Sequence, residues 1–111
     1  MRYPTALFLL LVAALLEAGG DAILRAGLHT SFMTRRLLLF SGGGLILLAY
    51  GCLINAAPWS FGRLIGVYVV FFFLTAQVIA WLAFGQLPQR GVWLGGALIV
   101  LGGLVISAGR V

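Results

Sequence analysis

Four long apolar runs joined by short connections rich in Arg, Pro and Gly constrain this chain more than any other feature. A bilayer's hydrocarbon core is about 30 Å thick and takes roughly 20 apolar residues of helix to cross. The runs over residues 5–23, 37–55, 65–84 and 92–108 approach that length. They occupy most of the 111 residues, so a single all-α membrane domain of four transmembrane helices is expected over 1–111. Charged residues make up only 8% of the chain and the mean hydropathy is +1.18. So few charges cannot coat a globule in water, which leaves lipid as the solvent for most of the surface.

A closed barrel is the other structure that crosses a membrane without orphan backbone groups. Its strands alternate apolar and polar residues. Residues 8–16 and 67–74 are apolar on both faces instead, which favours helices. Arg2 followed by an apolar run and small residues around Ala18 also has the outline of a secretory signal. An acid embedded at the end of the run argues against that reading. Cys52 is the single cysteine, so no intramolecular disulfide forms, and a small core-filling role is expected for it.

The formal net charge is +5, and all seven basic residues other than His29 are arginine. They are scattered near predicted span ends rather than clustered on one face, which points to lipid headgroups and away from nucleic acid. With the N-terminus inside, Arg2, Arg63 and Arg110 are cytoplasmic, while Arg25, Arg35, Arg36 and Arg90 lie outside. This near parity leaves little inside-positive bias. Insertion in both orientations is the preferred expectation, and it would let two copies pair antiparallel. The alternative is that Arg35 and Arg36 together hold the N-terminus outside.

Several small-residue and turn signals organise the spans. Gly42, Gly43 and Gly44 cost helix propensity but let another helix come close, and they also mark a weak point. The connection from Ala56 to Ser60 contains Pro58 and Trp59 and predicts a tight antiparallel hairpin of spans two and three. Gly91 and Gly95 stand four apart, a spacing that suits close helix crossing between subunits or within one.

The two acids, Glu17 and Asp21, both fall in the first run. An aspartate at the centre of a membrane helix costs about 2.5 to 3.5 kcal/mol on insertion scales, and intramembrane acids usually mark a partner, an ion path or a substrate path. Asp21 is four residues past Glu17 and four before Arg25, so Asp21 is expected to pair with Arg25. Glu17 has no such local cation. Ala13, Ala14 and Gly20 are small and are expected to leave room beside it. A carboxylate kept from water takes up protons more readily than one in solution. One that can hold either a proton or a cation would let a proton gradient drive cation export. Tyr68, Tyr50, Gln77 and Trp81 are candidates to line the same cavity, although packing and interface anchoring explain them as well. His29 and Cys52 are too far apart in sequence and too few to suggest a metal site, and no phosphate-binding loop follows a strand. No enzymatic activity, metal or cofactor is therefore expected.

At these residues the chain resembles the small multidrug resistance transporter superfamily. Glu17, Gly20 and the basic Arg25 are similar to that family's first helix, and Trp81 with Phe84-Gly85-Gln86 to the end of its third. Pro58-Trp59-Ser60-Phe61-Gly62-Arg63, followed by Tyr68, looks more like the YnfA-like branch, as does Gly96-Ala97-Leu98-Ile99 with Gly103. The resemblance implies a bacterial inner-membrane antiporter built as an antiparallel homodimer, or paired with a paralogous subunit, with two glutamates in one chamber. It implies Glu17 as the shared site for protons and a small cationic or drug-like substrate, and Tyr68 in place of a chamber tryptophan. Ile65 stands where relatives usually carry a chamber tyrosine, which weakens the expectation of aromatic cations. Asp21 departs from the neutral residue of the drug exporters. Translocation of a lipid or lipid-linked sugar is the alternative transport reading, and a non-transporting accessory subunit is the alternative outside transport.

Overall fold

A computed structural model describes residues 3–108 of the chain. The described residues form four helices: α1 (Tyr3–Leu28), α2 (Met33–Asn55), α3 (Phe61–Phe84) and α4 (Arg90–Ala108). All four are long and apolar enough to cross a membrane. Even α4, with 19 residues, reaches about 28 Å at 1.5 Å per residue.

Each helix outruns its predicted span. Predicted spans began at 5, 37, 65 and 92, whereas the helices begin at Tyr3, Met33, Phe61 and Arg90, and α1 continues to Leu28 instead of ending at 23. Hydropathy marks where the residues turn polar, but helical hydrogen bonding continues past that point. The arginines therefore sit on helical turns: Arg25 in the last turn of α1, Arg35, Arg36 and Arg63 in first turns, and Arg90 as the first residue of α4. Cations at helix N-termini oppose the macrodipole, so other forces must favour these places. Two aromatic faces contribute: Arg36 lies 5.7 Å from the Phe40 ring and Arg63 5.2 Å from Trp59. Arg2 and Arg110, the remaining members of the orientation count, lie outside the described residues.

The helices lie side by side in the order α2, α1, α3, α4. α2 and α3 do not form the expected tight pair. Their five-residue connection is short, yet neither packs extensively on the other, because α1 lies against both. A stripe of Ala6, Leu10, Ala13, Ala14 and Ala18 at helical spacing is buried on α1 and makes this close approach possible. Leu10, Ala13 and Ala14 pack with Ile54, Leu64, Val67 and Tyr68 to form the core. The molecule measures 50 × 35 × 19 Å, so the layer is thin and most of its apolar surface faces lipid or a partner. Cys52, expected in the core, is exposed.

Gly20 and Gly27 of α1 and Gly43 of α2 hold these two helices close, Gly27 against Phe40 and Leu39. A Cβ on Gly20 would meet Leu47 at 2.9 Å, and one on Gly43 would meet the Gly20 carbonyl oxygen at 3.1 Å. Of the glycine run in α2, Gly43 alone makes the predicted close approach, since Gly42 and Gly44 face open space. On the other side, Gly96 lies against Phe73 and Gly103 against Val70, which seats α4 on α3. Gly91 and Gly95 touch nothing within the subunit. Gly85 ends α3 at φ 64°, a left-handed conformation that favours glycine. There the Gly85 N–H donates to the Trp81 carbonyl at 3.1 Å and the Gln86 N–H to that of Ala80 at 3.0 Å.

Candidate functional site

Glu17 projects from the edge of α1's buried stripe, three residues past Ala14 and one before Ala18. Tyr68 comes from α3, only 3% exposed, and its hydroxyl donates to Glu17 Oε1 at 2.8 Å. Tyr50 comes from α2 and stacks on the Tyr68 ring, with centroids 5.7 Å apart and planes inclined by 26°. Through this stack Tyr50 stands beside the Tyr68–Glu17 hydrogen bond. Three helices thus converge on one carboxyl group, with aromatic rings on one side of it.

Ala13 and Ala14 stand beside this group, but they do not leave a void as expected. Both are fully buried, and the space above their methyl groups is taken by the core that carries Tyr68. Their smallness brings α3 close enough for the 2.8 Å hydrogen bond. Gly20 likewise is closed off by α2 rather than opening a chamber.

Gln77 and Trp81 do not join Glu17. They line an apolar groove of about 800 Å³ between α3 and α4, with Phe73, Pro88 and Trp93. The reason is helical phase. Gln77 is nine residues past Tyr68, and about 100° per residue puts it half a turn away. Phe72, four residues on, shares the Tyr68 face and stacks on it at 6.2 Å between centroids. That partner was legible in the spacing and was missed.

Asp21 occupies the next turn of α1 and opens onto a separate cavity of about 270 Å³, shared with Ala18, Arg25, Phe72, Phe84 and Gln86. The expected Asp21–Arg25 ion pair does not form. Arg25 instead sets its guanidinium over the Phe84 ring, 5.3 Å from the centroid. The physical reason is that α3 brings an aromatic face to the end of α1, and a guanidinium stacks well on such a face. His29 Nδ1 lies 2.8 Å from the Arg25 carbonyl oxygen, where it can donate to the end of α1. Among the described residues no group of three His, Cys, Asp or Glu side chains gathers to hold a metal ion.

The arrangement suits recognition of a cation at Glu17. A carboxylate has room for about four hydrogen-bond donors, and Tyr68 takes one of these positions. The Tyr68 ring is only 3% exposed and stacked against both Tyr50 and Phe72, so its hydroxyl, not its ring face, is the group presented to Glu17. Compared with known proteins, the chain matches no family model, no curated protein and no solved structure.

Proposed function

We propose that this chain is a multi-pass subunit of a proton-coupled antiporter in a bacterial inner membrane, exporting small cationic compounds. The observation that carries this reading is the hydrogen bond from Tyr68 to Glu17, an acid placed within a membrane-spanning helix. Intramembrane acids are costly, and those oriented by a partner are typical of ion and proton paths. Tyr68 holds Glu17 in one orientation, and Tyr50 and Phe72 extend the aromatic wall.

The coupling follows from competition. With a cation at Glu17, the carboxylate is charge-matched and carries no proton. When the cation leaves, a proton restores neutrality before the group crosses the low-dielectric interior, where an uncompensated charge is disfavoured. Protons and substrate therefore move in opposite directions through one group. The thin layer of helices supports a second copy, or a paralogous subunit, as the other half of the chamber. An antiparallel arrangement agrees with the even spread of arginines across the connections. Asp21 serves as an auxiliary acid one turn away.

Adding a cation such as tetraethylammonium to detergent-solubilised protein at weak buffering is expected to release protons, and Glu17→Gln is expected to release none. Wild-type release by Glu17→Gln refutes the coupling role. Orientation is tested in a Cys52→Ala background by single cysteines near Arg25 and Arg63. Labelling of each position from one face only refutes dual insertion.

The apolar groove between α3 and α4 favours a second reading, in which a lipid or lipid-linked sugar crosses along the protein surface. That reading predicts lipid flip in vesicles that is indifferent to Glu17→Gln.

A further inference from the structure

We infer that the cavity one helical turn beyond Glu17 is a second binding station, and that it takes a small zwitterion bearing a cationic amine and a carboxylate. Asp21 and Arg25 both line this cavity. Residues four apart on a helix place their Cβ atoms about 5–6 Å from each other, so these two would ordinarily neutralise one another. Here the Arg25 guanidinium is held over Phe84. The cavity therefore presents a carboxylate and a guanidinium that do not pair.

A simple cation in this space would meet Arg25 as well as Asp21, and a simple anion would meet the reverse. A short zwitterion satisfies both charges at once. Gln86 adds an amide that can donate and accept, and the left-handed turn at Gly85 brings it to the cavity wall. Phe72 and Phe84 supply apolar walls for the methylenes between the charged ends. A volume of about 270 Å³ leaves room for a short amino acid. Phe72 also stacks on Tyr68, which places the station next to Glu17. Onward passage of the amine to Glu17 rests on the export reading, whereas binding at the station does not.

The test is calorimetric titration of the full chain in nanodiscs with γ-aminobutyrate, and with butylamine and butyrate as single-charge controls. γ-Aminobutyrate is expected to bind about tenfold more tightly than either control. Asp21→Asn and Arg25→Gln should each weaken it about tenfold, and Arg25→Lys should restore most of the affinity. Circular dichroism and a monodisperse elution profile identify variants that remain folded. In Glu17→Gln, γ-aminobutyrate should still bind, and the remaining affinity should still fall with Asp21→Asn and with Arg25→Gln, which places the ligand at the station. No binding of γ-aminobutyrate, equal binding of butylamine, or indifference to both charge variants overturns the inference. Loss of binding in Glu17→Gln overturns it too, by moving the ligand to the other site. Wild-type proton release in Glu17→Gln would sink the export reading and leave the station standing, so the two failures are distinguishable.

Discussion

The Tyr68 hydroxyl donates to Glu17 Oε1 at 2.8 Å, tying α3 to α1 at a carboxyl group within a helix long and apolar enough to cross a membrane. Tyr68→Phe removes this hydrogen bond while keeping the ring that stacks on Tyr50 and Phe72. A hydrogen bond to a charged group contributes about 1.5–3 kcal/mol. Cation affinity is therefore expected to fall about tenfold or more, with the number of protons released per cation unchanged. Titration of proton release against cation concentration checks both quantities, and an unchanged affinity would show that Tyr68 does not orient the binding group.

The crossing of α1 and α2 predicts a sharp difference between neighbouring glycines. A Cβ on Gly43 meets the backbone oxygen of Gly20 at 3.1 Å, an atom that cannot swing aside as a side chain can. Gly43→Val should cost about 1–3 kcal/mol by forcing the helices apart. Gly44→Val, which faces open space, should stay within about 0.5 kcal/mol of the parent. Thermal unfolding in one detergent compares the two.

Gly85 predicts a conformational effect independent of space. Its φ of 64° is left-handed, and a Cβ there meets no neighbouring atom. Gly85→Ala should therefore cost about 1–2 kcal/mol through backbone strain alone, and Gly85→Asn less. A lower Tm for the alanine variant than for the asparagine variant separates strain from crowding.

The glycines of α4 divide by partner. Gly96 and Gly103 are filled by Phe73 and Val70, whereas Gly95 faces outward. Under the homodimer proposal, Gly95→Leu lowers the dimer fraction in liposomes while leaving subunit Tm in detergent unchanged. Energy transfer between labelled copies measures association, and undiminished transfer would exclude this face from a subunit contact.

Much of this structure could be read from residue types, and the exceptions have definite causes. The four helices were legible because each apolar run approaches the thickness of a bilayer, but their ends were not, because Arg25, Arg36 and Arg63 are polar residues on helical turns. Glu17 was legible as a candidate because an acid within an apolar run is rare, and Tyr68 because it is a polar aromatic within the third run. Gln77 and Trp81 were expected beside them, but within the subunit they line the groove on the far side of α3, as helical phase requires. The partner of Arg25 was not legible at all. Local spacing favoured Asp21, and Phe84 reaches Arg25 only through the way α3 lies along α1.

Proton flux in proteoliposomes under an imposed pH gradient tests the central claim most directly, with wild type and Glu17→Gln compared across a panel of small cations. The account predicts that at least one cation drives proton movement in the opposite direction through the wild type, and that Glu17→Gln abolishes it. Proton flux through Glu17→Gln equal to that of the wild type, or no cation-driven flux in either protein, would contradict it.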